Sequence, residues 1–358
     1  MKILQIFPGK VWGGAEQFVL DLGLSLRDQG HEVEFLARRS EAVVARLEAS
    51  VDFSVVDLGS RLLHGRRPEP ALVMAVGRAD VVHVHDIAQV GQVMKAVDLA
   101  GSDTRIVLTR HIARASRTLP WRRRYLKRLH RMLFVSDLGR RLWQSVNGWM
   151  PDDRCKVIHN SIPPYVETEA DNLRQRYAVK PGVPLILFTG RVRESKGCQI
   201  LVEALVRIRD LDWTMVFVGT CKPADFDKEL VRIAQRGGIG HRIGFYGFSD
   251  NVRALIRQAD LGVAPSIVRE ACPLSPMEFM QAGVPVIATD NGAQPEYITD
   301  GTTGLLVPPD NVDALANALR SMVTDRKKRE RLGCRAAEYF DSKLSYHHFI
   351  GEILDAYS

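Results

Sequence analysis

Cysteine and long apolar runs are both scarce in this sequence. The five cysteines are scattered, odd in number and never spaced as Cys-x-x-Cys: Cys155, Cys198, Cys221, Cys272 and Cys334. Such cysteines are typical of free thiols in a reducing compartment. No apolar run approaches the roughly 20 residues of a membrane-spanning helix, and no small-residue cleavage site follows the apolar N-terminus, as an export signal would require. We therefore expect a cytoplasmic protein.

Signatures of two other functional classes are also missing. Gly13-Gly14 is not the Gly-x-Gly-x-x-Gly fingerprint of dinucleotide binding, and no acidic residue ends the second predicted strand. This argues against an oxidoreductase. A periplasmic sugar-binding protein, which shares a two-lobed α/β architecture, would need the export signal that the sequence lacks.

Positive charge is concentrated in the first half of the chain. Residues 1–160 contain 25 Lys and Arg against 17 Asp and Glu, whereas residues 161–358 contain 24 against 25. Residues 105–131 hold ten basic residues and no acidic one. A field of one sign attracts phosphate groups on nucleic acid, anionic lipid or a phosphorylated substrate. A basic nucleic-acid-binding protein is therefore one hypothesis.

What the sequence does contain is a regular alternation of strand and helix patterns. With 46% hydrophobic and 25% charged residues, a chain of 358 residues is an ordinary globular protein long enough for two domains. Short runs of Val, Ile and Leu alternate with longer amphipathic stretches, which predicts βα units on doubly wound parallel sheets. The chain crosses between the domains at residues 160–164, where periodicity stops and two prolines occur. The predicted strands are residues 2–7, 32–37, 51–57, 81–85, 105–109, 132–135 and 156–158, then 184–189, 214–218, 243–247, 261–264, 285–288 and 305–307.

Two strand ends carry residues suited to phosphate. Gly13 and Gly14 follow the first strand and open a helical pattern, so backbone amides there can approach a phosphate. The alternative is a tight turn in which glycine supplies a positive φ. Arg191 and Lys196 follow the first strand of the second half, and the pair could neutralise the charge on a departing nucleoside diphosphate. The alternative for them is a solvated basic loop.

Two glutamates flank the start of a later helix. Ser-Pro-Met-Glu at residues 275–278 matches a capping box with proline at the first helical position, and Leu274 with Phe279 would form its hydrophobic staple. Capping alone would then explain Glu278. It leaves out Glu270, a loop carboxylate suited to accept hydrogen bonds from pairs of sugar or ribose hydroxyls. The amides between the two glutamates can receive phosphate or hydroxyl oxygens.

Together these motifs resemble those of the retaining glycosyltransferases of family 4. The specific element is Glu270-x7-Glu278, followed by Gly283-Val284-Pro285-Val286, and Gly13-Gly14, Arg191 and Lys196-Gly197 fall in family order. The resemblance extends over nearly all of the chain. It implies the GT-B fold, which has two Rossmann-like doubly wound parallel-sheet domains that face a deep cleft. The implied domains are an acceptor-binding domain at residues 1–162 and a nucleotide-sugar-binding domain at residues 163–341, with a last helix near residues 342–358 packing back on the first.

The resemblance also implies roles for single residues. Glu270 would hold the donor sugar, Glu278 the ribose hydroxyls, and Arg191 and Lys196 the diphosphate, which Gly14 would contact from the other domain. The turn at Phe248 would contact the base. The remaining donor-site residues would be Gly13, Ala271, Cys272, Pro273 and Leu274. Ala271-Cys272 stands where the family usually has Phe-Gly, so the wall beside the sugar differs.

His111 follows the fifth strand and matches the position of a family histidine that helps to position the reacting sugar. A structural histidine is the alternative. Because retention in the family is commonly assigned to same-face attack, we assign no protein nucleophile.

Two patterns could indicate a metal, and we favour neither. His83 and His85 share one strand face, but they lack a third ligand, so packing is the better interpretation. Asp225-Phe226-Asp227 spells a metal-binding triplet of another glycosyltransferase fold, yet the helical spacing that follows favours a helix N-cap. Because Arg191 and Lys196 supply the positive charge, we expect no metal and no other cofactor.

Residues 120–131 predict a helix with Trp121, Tyr125, Leu129 and Leu133 on its buried side and basic residues elsewhere. The basic face is either a solvated surface or a dock for anionic lipid headgroups or a lipid-diphosphate acceptor. The candidate acceptor or membrane residues are Arg114, Arg117, Arg122, Arg123 and Lys127.

The sequence therefore predicts a metal-independent retaining hexosyltransferase. It would use a nucleoside-diphosphate sugar, UDP-sugar in preference to GDP-sugar, and a glycan or lipid-linked acceptor in cell-surface polysaccharide or lipopolysaccharide synthesis. We expect a peripheral position on the inner face of an anionic cell membrane and no nucleic-acid partner. The alternatives are a GT-B nucleotide-sugar epimerase or phosphorylase and, outside enzymes, the basic nucleic-acid-binding protein.

Overall fold

The computed structural model describes residues 1–7, 9, 13–38, 40–48, 51–56 and 67–358. They form two compact units, Met1–Pro163 with Tyr346–Ser358, and Pro164–Ser345. The chain leaves the first unit next to the expected boundary between residues 162 and 163, and it re-enters that unit at Tyr346.

The first unit is built on a seven-stranded parallel sheet in the order β3-β2-β1-β4-β5-β6-β7. Its strands are β1 (Lys2–Ile6), β2 (Glu32–Arg38), β3 (Phe53–Val56), β4 (Val81–Val84), β5 (Arg105–Arg110), β6 (Arg131–Phe134) and β7 (Cys155–Val157). The helices of this unit are α1 (Gly14–Asp28), α2 (Glu41–Glu48), α3 (Pro70–Arg78), α4 (Val90–Ala100), α5 (Pro120–Leu126), α6 (Asp137–Gln144) and, from the end of the chain, α14 (Tyr346–Tyr357).

Both faces of this sheet are buried under helices. Successive side chains of a strand point to opposite faces, so Leu4 and Ile6 of β1 lie in one apolar cluster, while Ile3 lies in another. The second cluster includes Phe349 and Ile353 of α14. Strands buried on both faces read as continuous apolar runs, which is why the strand pattern is strong in the sequence.

The second unit has a six-stranded parallel sheet in the order β10-β9-β8-β11-β12-β13. Its strands are β8 (Leu185–Thr189), β9 (Thr214–Val218), β10 (Ile243–Gly247), β11 (Leu261–Ala264), β12 (Val286–Thr289) and β13 (Leu305–Val307). Its helices are α7 (Leu173–Arg176), α8 (Cys198–Arg207), α9 (Phe226–Arg236), α10 (Val252–Ile256), α11 (Leu274–Gln281), α12 (Val312–Thr324) and α13 (Arg326–Lys343).

The predicted fold class, two doubly wound parallel sheets, is confirmed. All six strands expected in the second half are present, with ends that differ from the prediction by at most one residue. The differences in the first half are shifts of one or two residues at strand ends. The expected strand 51–57 begins at Phe53, and its last residue, Asp57, lies outside the described residues.

Each sheet reverses its strand order at one place. The reversal lies between β1 and β4 in the first sheet and between β8 and β11 in the second. In open α/β sheets, ligands bind outside the carboxyl ends of the strands that flank such a reversal. The residues that follow these four strands are therefore the first place to look for a site.

Candidate functional site

An ion pair lies at the reversal point of the second sheet. Lys196, on the loop after β8, places Nζ 2.7 Å from Oε1 of Glu270, on the loop after β11. The Glu270 side chain is only 14% exposed and that of Lys196 28%. An ion pair with this little exposure is less screened by solvent than a surface pair. The structure thus joins two of the predicted site residues directly.

The two loops are held together by their backbones. Gly197 has φ +69°, and a Cβ on it would lie 1.9 Å from the carbonyl oxygen of Pro265. The carbonyl oxygen of Ser195 accepts hydrogen bonds from the backbone N–H of Ile267 at 3.2 Å and from Oγ of Ser266 at 3.1 Å. These contacts fix the distance between the loops independently of the ion pair.

The loop that carries Glu270 is also braced from β12. The backbone N–H of Ala293 donates to the carbonyl oxygen of Glu270 at 3.0 Å. Oγ1 of Thr289 donates to the carbonyl oxygen of Ser266 at 2.7 Å, and Nδ2 of Asn291 donates to that of Ile267 at 3.0 Å. Glu270 therefore stands on a segment whose backbone is bonded on two sides, which is the preorganisation a binding carboxylate needs.

Arg191 lies on the same loop as Lys196, directly after Gly190, and is exposed. Among the described residues, none forms a hydrogen bond or an ion pair with its guanidinium. A guanidinium without a protein partner keeps all its donors for two oxygens of a phosphate. The structure shows the position of Arg191 on the loop; its proposed contact with a ligand stays a prediction.

The capping-box interpretation of Glu278 is wrong. Helix α11 begins at Leu274, with Pro273 as the N-cap and no side-chain cap, so Ser275 and Pro276 are already inside the helix. Proline is tolerated there because the first-turn N–H groups have no partner within the helix. Oγ of Ser275 is instead 2.6 Å from Oγ1 of Thr189 at the end of β8. Since Leu274 is the first helical residue, the predicted staple with Phe279 is wrong too.

This start of α11 changes what surrounds Glu278. The glutamate is half-buried in the second turn and cannot cap the helix. The first-turn amides, which no side chain caps, follow Ala271, Cys272 and Pro273. Cys272 is buried, and the hydroxyl of Tyr297 donates to the carbonyl oxygen of Pro273 at 3.4 Å. The donor-site segment predicted from the sequence is therefore one continuous strand-to-helix turn that ends in uncapped amides.

Two other second-unit predictions concern loop residues. Phe248 follows β10 and is 64% exposed, a large apolar ring without cover in its own unit. Asp225 is the N-cap residue of α9, as predicted, but its side chain makes no capping hydrogen bond and pairs with Lys228 at 2.7 Å.

Within the described residues, no three His, Cys, Asp or Glu side chains are placed to share a metal ion.

In the first unit, Gly13 and Gly14 begin α1 after β1. Gly13 is the N-cap with φ −161°, an extended conformation open to any residue, and as a glycine it has no side chain to cap the helix. The alternative of a turn that needs positive φ is therefore wrong for Gly13. What the position offers is a helix N-terminus near the reversal point of the sheet.

His111 follows β5 and is not isolated. Its Nε2 lies 3.1 Å from Nδ1 of His85, and the two rings are stacked at 5.3 Å. The ring of Phe18, from α1, meets His111 edge-on at 5.0 Å. His83 and His85 are buried, and both nitrogens of each ring have a hydrogen-bond partner in the protein. Both are packed in the interior, as favoured from the sequence, and His85 also contacts His111, which no sequence pattern indicates.

Burial keeps these histidines neutral. It lowers the pKa of His111 to about 4. Burial, together with the nearby His111, lowers the pKa of His83 to about 3. Burial also holds the pKa of His85 well below its usual range, helped by both neighbours. A histidine that is neutral at physiological pH serves as a hydrogen-bonding group, since protonation would require an acidic medium.

The basic segment is folded differently from the prediction. Helix α5 ends at Leu126, and Leu133 lies on β6, because the helix gives way to a strand that pairs with β5. Tyr125 and Leu129 are buried as expected, but Trp121 is 37% exposed, so its predicted burial is wrong. Of the five candidate residues, Arg114, Arg117 and Lys127 are exposed, whereas Arg122 and Arg123 are half-buried against the rings of Trp121 and Trp149.

Exposed apolar side chains occur in the same segment. Ile112 is 51% exposed and Leu119 52%, and they lie close in sequence to Trp121. None of the helices in the described part of the chain is both long and apolar enough to cross a membrane.

Comparison with known proteins assigns the family. The model of glycosyltransferase family 4 matches residues 12–165, and the model of glycosyl transferases group 1 matches residues 169–339. A phosphatidyl-myo-inositol mannosyltransferase of Mycobacterium leprae is 30% identical over 94% of this chain and 91% of its own length. The chain belongs to the family 4 glycosyltransferases.

This family 4 glycosyltransferase is also similar to a second curated protein in sequence and to a solved structure in fold. The lipopolysaccharide core biosynthesis mannosyltransferase LpsB of Rhizobium meliloti is 33% identical over 172 residues, which are 46% of this chain and 48% of that protein. The match therefore spans about half the length of that relative. The structure of Anabaena Alr3699/HepE in complex with UDP and glucose covers 99% of this chain and 98% of its own, with a TM-score of 0.81 and 20% identity. The fold is GT-B.

The backbone contact at Gly197 gives a direct test of how the ion pair is held. Gly197→Ala puts a Cβ into the Pro265 carbonyl and forces the two loops apart. We expect the urea midpoint of the second unit to fall by the equivalent of about 2 kcal/mol more than in the control. Gly182→Ala is the matched control, since Gly182 also has a positive φ of +80° but no atom within 4 Å of where its Cβ would stand. Equal losses in the two variants would contradict the close approach.

Proposed function

We propose that this family 4 glycosyltransferase moves a hexose-type sugar from a nucleoside-diphosphate sugar to a glycan or lipid-linked acceptor, with retention and without a metal. The observation that carries the proposal is the partly buried Lys196–Glu270 pair at the reversal point of the second sheet. A site for a sugar diphosphate needs a carboxylate for hydroxyls and cations for phosphate. At this position the Glu270 carboxylate and the Lys196 ammonium lie 2.7 Å apart.

The two charges have different roles in this proposal. Glu270 accepts hydrogen bonds from hydroxyls of the donor sugar, and Lys196 turns toward the diphosphate when it enters. Arg191, which has no partner among the described residues, grips the same diphosphate with two donors. These two cations stabilise the charge that grows on the leaving nucleoside diphosphate, which is the task of a divalent ion in metal-dependent transferases.

The strand-to-helix turn at α11 completes the proposed donor site. Its uncapped first-turn amides favour phosphate or hydroxyl oxygens. Glu278, half-buried in the next turn, holds the ribose hydroxyls, and the exposed ring of Phe248 lies on the turn assigned to the base. Cys272 forms the wall beside the sugar where the family usually has a glycine.

The first unit contributes the acceptor side of the proposal. The amides at Gly13 and Gly14 approach the diphosphate, and His111 positions the reacting sugar through a hydrogen bond. A pKa of about 4 makes His111 a poor general base at neutral pH, so we assign it no proton transfer. No residue is assigned as a nucleophile, in keeping with attack from the same face.

The acceptor class follows the relatives. One is a lipopolysaccharide core mannosyltransferase and another a phosphatidyl-myo-inositol mannosyltransferase, so we propose an acceptor of cell-surface polysaccharide or lipopolysaccharide synthesis. The HepE structure, which holds UDP and glucose, supports a UDP-sugar as the first donor to test. GDP-sugars are the second.

We also propose that the segment around α5 rests on an anionic membrane surface. Arg114, Arg117 and Lys127 are exposed there, and so is the side chain of Trp121. Exposed apolar side chains among cations suit the boundary between lipid headgroups and acyl chains.

A donor panel tests the proposed function. With EDTA present, the donor nucleotide and its sugar should raise the melting temperature, because a ligand that binds only the folded state stabilises it. We expect UDP or GDP and the corresponding sugar to do so, and ADP and CMP not to. Lys196→Ala and Glu278→Ala should abolish the shift. Lys228 is exposed and lies on α9, outside the loops that follow β8 and β11, so Lys228→Ala should keep the shift. A shift that persists in both site variants would show that the site lies elsewhere.

Product analysis separates the enzyme alternatives. Transfer requires an acceptor and yields a new glycoside, whereas an epimerase converts the nucleotide sugar alone and a phosphorylase consumes phosphate. A basic nucleic-acid-binding protein would instead bind DNA or RNA with strong salt dependence.

Liposome binding tests the membrane proposal. Arg114→Glu with Arg117→Glu should weaken binding to vesicles containing anionic lipid by at least about thirtyfold, since each basic residue near such a surface contributes about 1 kcal/mol and the double variant loses two of them. The same reversal at Arg232 and Arg236, on α9 of the second unit, is the matched control and should leave binding unchanged. Equal binding by both double variants would refute the proposed surface.

A further inference from the structure

A continuous chain of hydrogen bonds links His111 to the last helix. Nε2 of His111 lies 3.1 Å from Nδ1 of His85, and Nε2 of His85 lies 3.0 Å from Oε1 of Gln5. Nε2 of Gln5 donates to the hydroxyl of Tyr357 at 3.0 Å. The chain then continues through His83, whose Nδ1 is 2.7 Å from that hydroxyl and whose Nε2 is 2.7 Å from Oγ1 of Thr109.

These polar groups lie in the interior of the first unit, among the apolar side chains of its sheet and of α14. Gln5, His83 and Tyr357 have no exposed surface, and His85 is 4% exposed. A buried polar group is tolerated only when it is hydrogen-bonded, and a network with one member missing is worse than an apolar core. The network is therefore a unit in which the protonation of one member constrains that of the next.

The amide of Gln5 determines which atom donates and which accepts in each hydrogen bond between it and His111. Its Oε1 can only accept, so Nε2 of His85 carries the hydrogen. A neutral imidazole has one N–H, which leaves Nδ1 of His85 as an acceptor. Nε2 of His111 must then be the donor to it. Burial supports the neutral forms, since it lowers the pKa of both rings.

The chain of hydrogen bonds ends at the His111 ring, whose other nitrogen is Nδ1. Among the described residues, no atom hydrogen-bonds to this nitrogen, and His111 is only partly buried. A neutral ring with its hydrogen on Nε2 presents a lone pair at Nδ1, which is an acceptor for a hydroxyl and repels another acceptor.

We propose that Tyr357, Gln5 and His85 are positioning residues that hold His111 in the Nε2–H tautomer, so that Nδ1 accepts a hydrogen bond from a sugar hydroxyl. The sugar contact rests on the proposed function; the tautomer does not. The inference gives α14 a role beyond covering the sheet, because its Tyr357 hydroxyl accepts the hydrogen bond of the Gln5 amide in this orientation.

The tautomer is measurable without any substrate. In the full-length protein labelled with nitrogen-15 at histidine, protonated and unprotonated ring nitrogens give well-separated resonances. His111→Asn assigns the signals of residue 111. At pH 7 we expect the wild-type His111 ring to carry its hydrogen on Nε2. A hydrogen on Nδ1 would overturn the proposal.

Two matched variants test the path through α14. Tyr357→Phe removes the acceptor of the Gln5 amide, so both amide orientations become populated and the Nδ1–H tautomer of His111 should appear in the spectrum. Tyr346→Phe is the control, because it also removes a buried tyrosine hydroxyl from α14, one that is bonded to Ser25 at 3.1 Å instead. A His111 signal unchanged by Tyr357→Phe, or changed equally by Tyr346→Phe, would contradict the path. Gln5→Leu provides a second test and should give the same mixture of tautomers.

Activity separates this inference from the proposed function. With a donor selected by the panel, Tyr357→Phe should lower the rate of sugar release by about tenfold, the effect of one weakened hydrogen bond, and Tyr346→Phe should not. If the tautomer is as stated but His111→Ala releases sugar at the wild-type rate, the sugar contact of His111 is overturned while the tautomer assignment stands.

Discussion

Lys196 and Glu270, whose charged atoms lie 2.7 Å apart, stand on two loops that are joined through their backbones. The carbonyl of Ser195 bonds to the loop after β11, Gly197 lies against the carbonyl of Pro265, and the loop after β12 bonds to the backbone of Glu270. The loop backbones are thus in place before a ligand arrives, so binding does not have to order them. The proposed donor site depends on this arrangement.

The two units present different kinds of chemistry at the same place in their sheets. In the second unit, the groups at the reversal point are charged, which suits phosphate and the growing charge of a leaving nucleotide. In the first unit, the groups are histidines kept neutral by burial and linked by hydrogen bonds, which suits the hydroxyls of a sugar. The groups of the second unit are thus suited to charge, and those of the first to the orientation of hydroxyls.

The strands, and the positions of the loops that follow them, could be predicted because their signals are local. Strands buried on both faces show as apolar runs, and Glu270 is a loop carboxylate that no helix cap explains. The sequence predicts the wrong start for α11 because the Ser-Pro-Met-Glu pattern at residues 275–278 fits a capping box, whereas the helix begins at Leu274 and Ser275 contacts Thr189 at the end of β8. The link from His111 to Tyr357 joins residues 246 positions apart, so no periodicity reveals it. The one available signal was Gln5, a polar residue in the middle of an apolar central strand.

The most direct test of the account is a double-mutant cycle on ligand affinity. Isothermal titration calorimetry would compare UDP-glucose with UDP, or the GDP pair if the panel selects it, for the wild type, Lys196→Met, Glu270→Gln and the double variant. We expect Lys196→Met to weaken the binding of both ligands and Glu270→Gln to weaken only that of the nucleotide sugar, with the two effects on the nucleotide sugar coupled by about 0.5–3 kcal/mol. Additive effects, or equal losses for both ligands in Glu270→Gln, would contradict it.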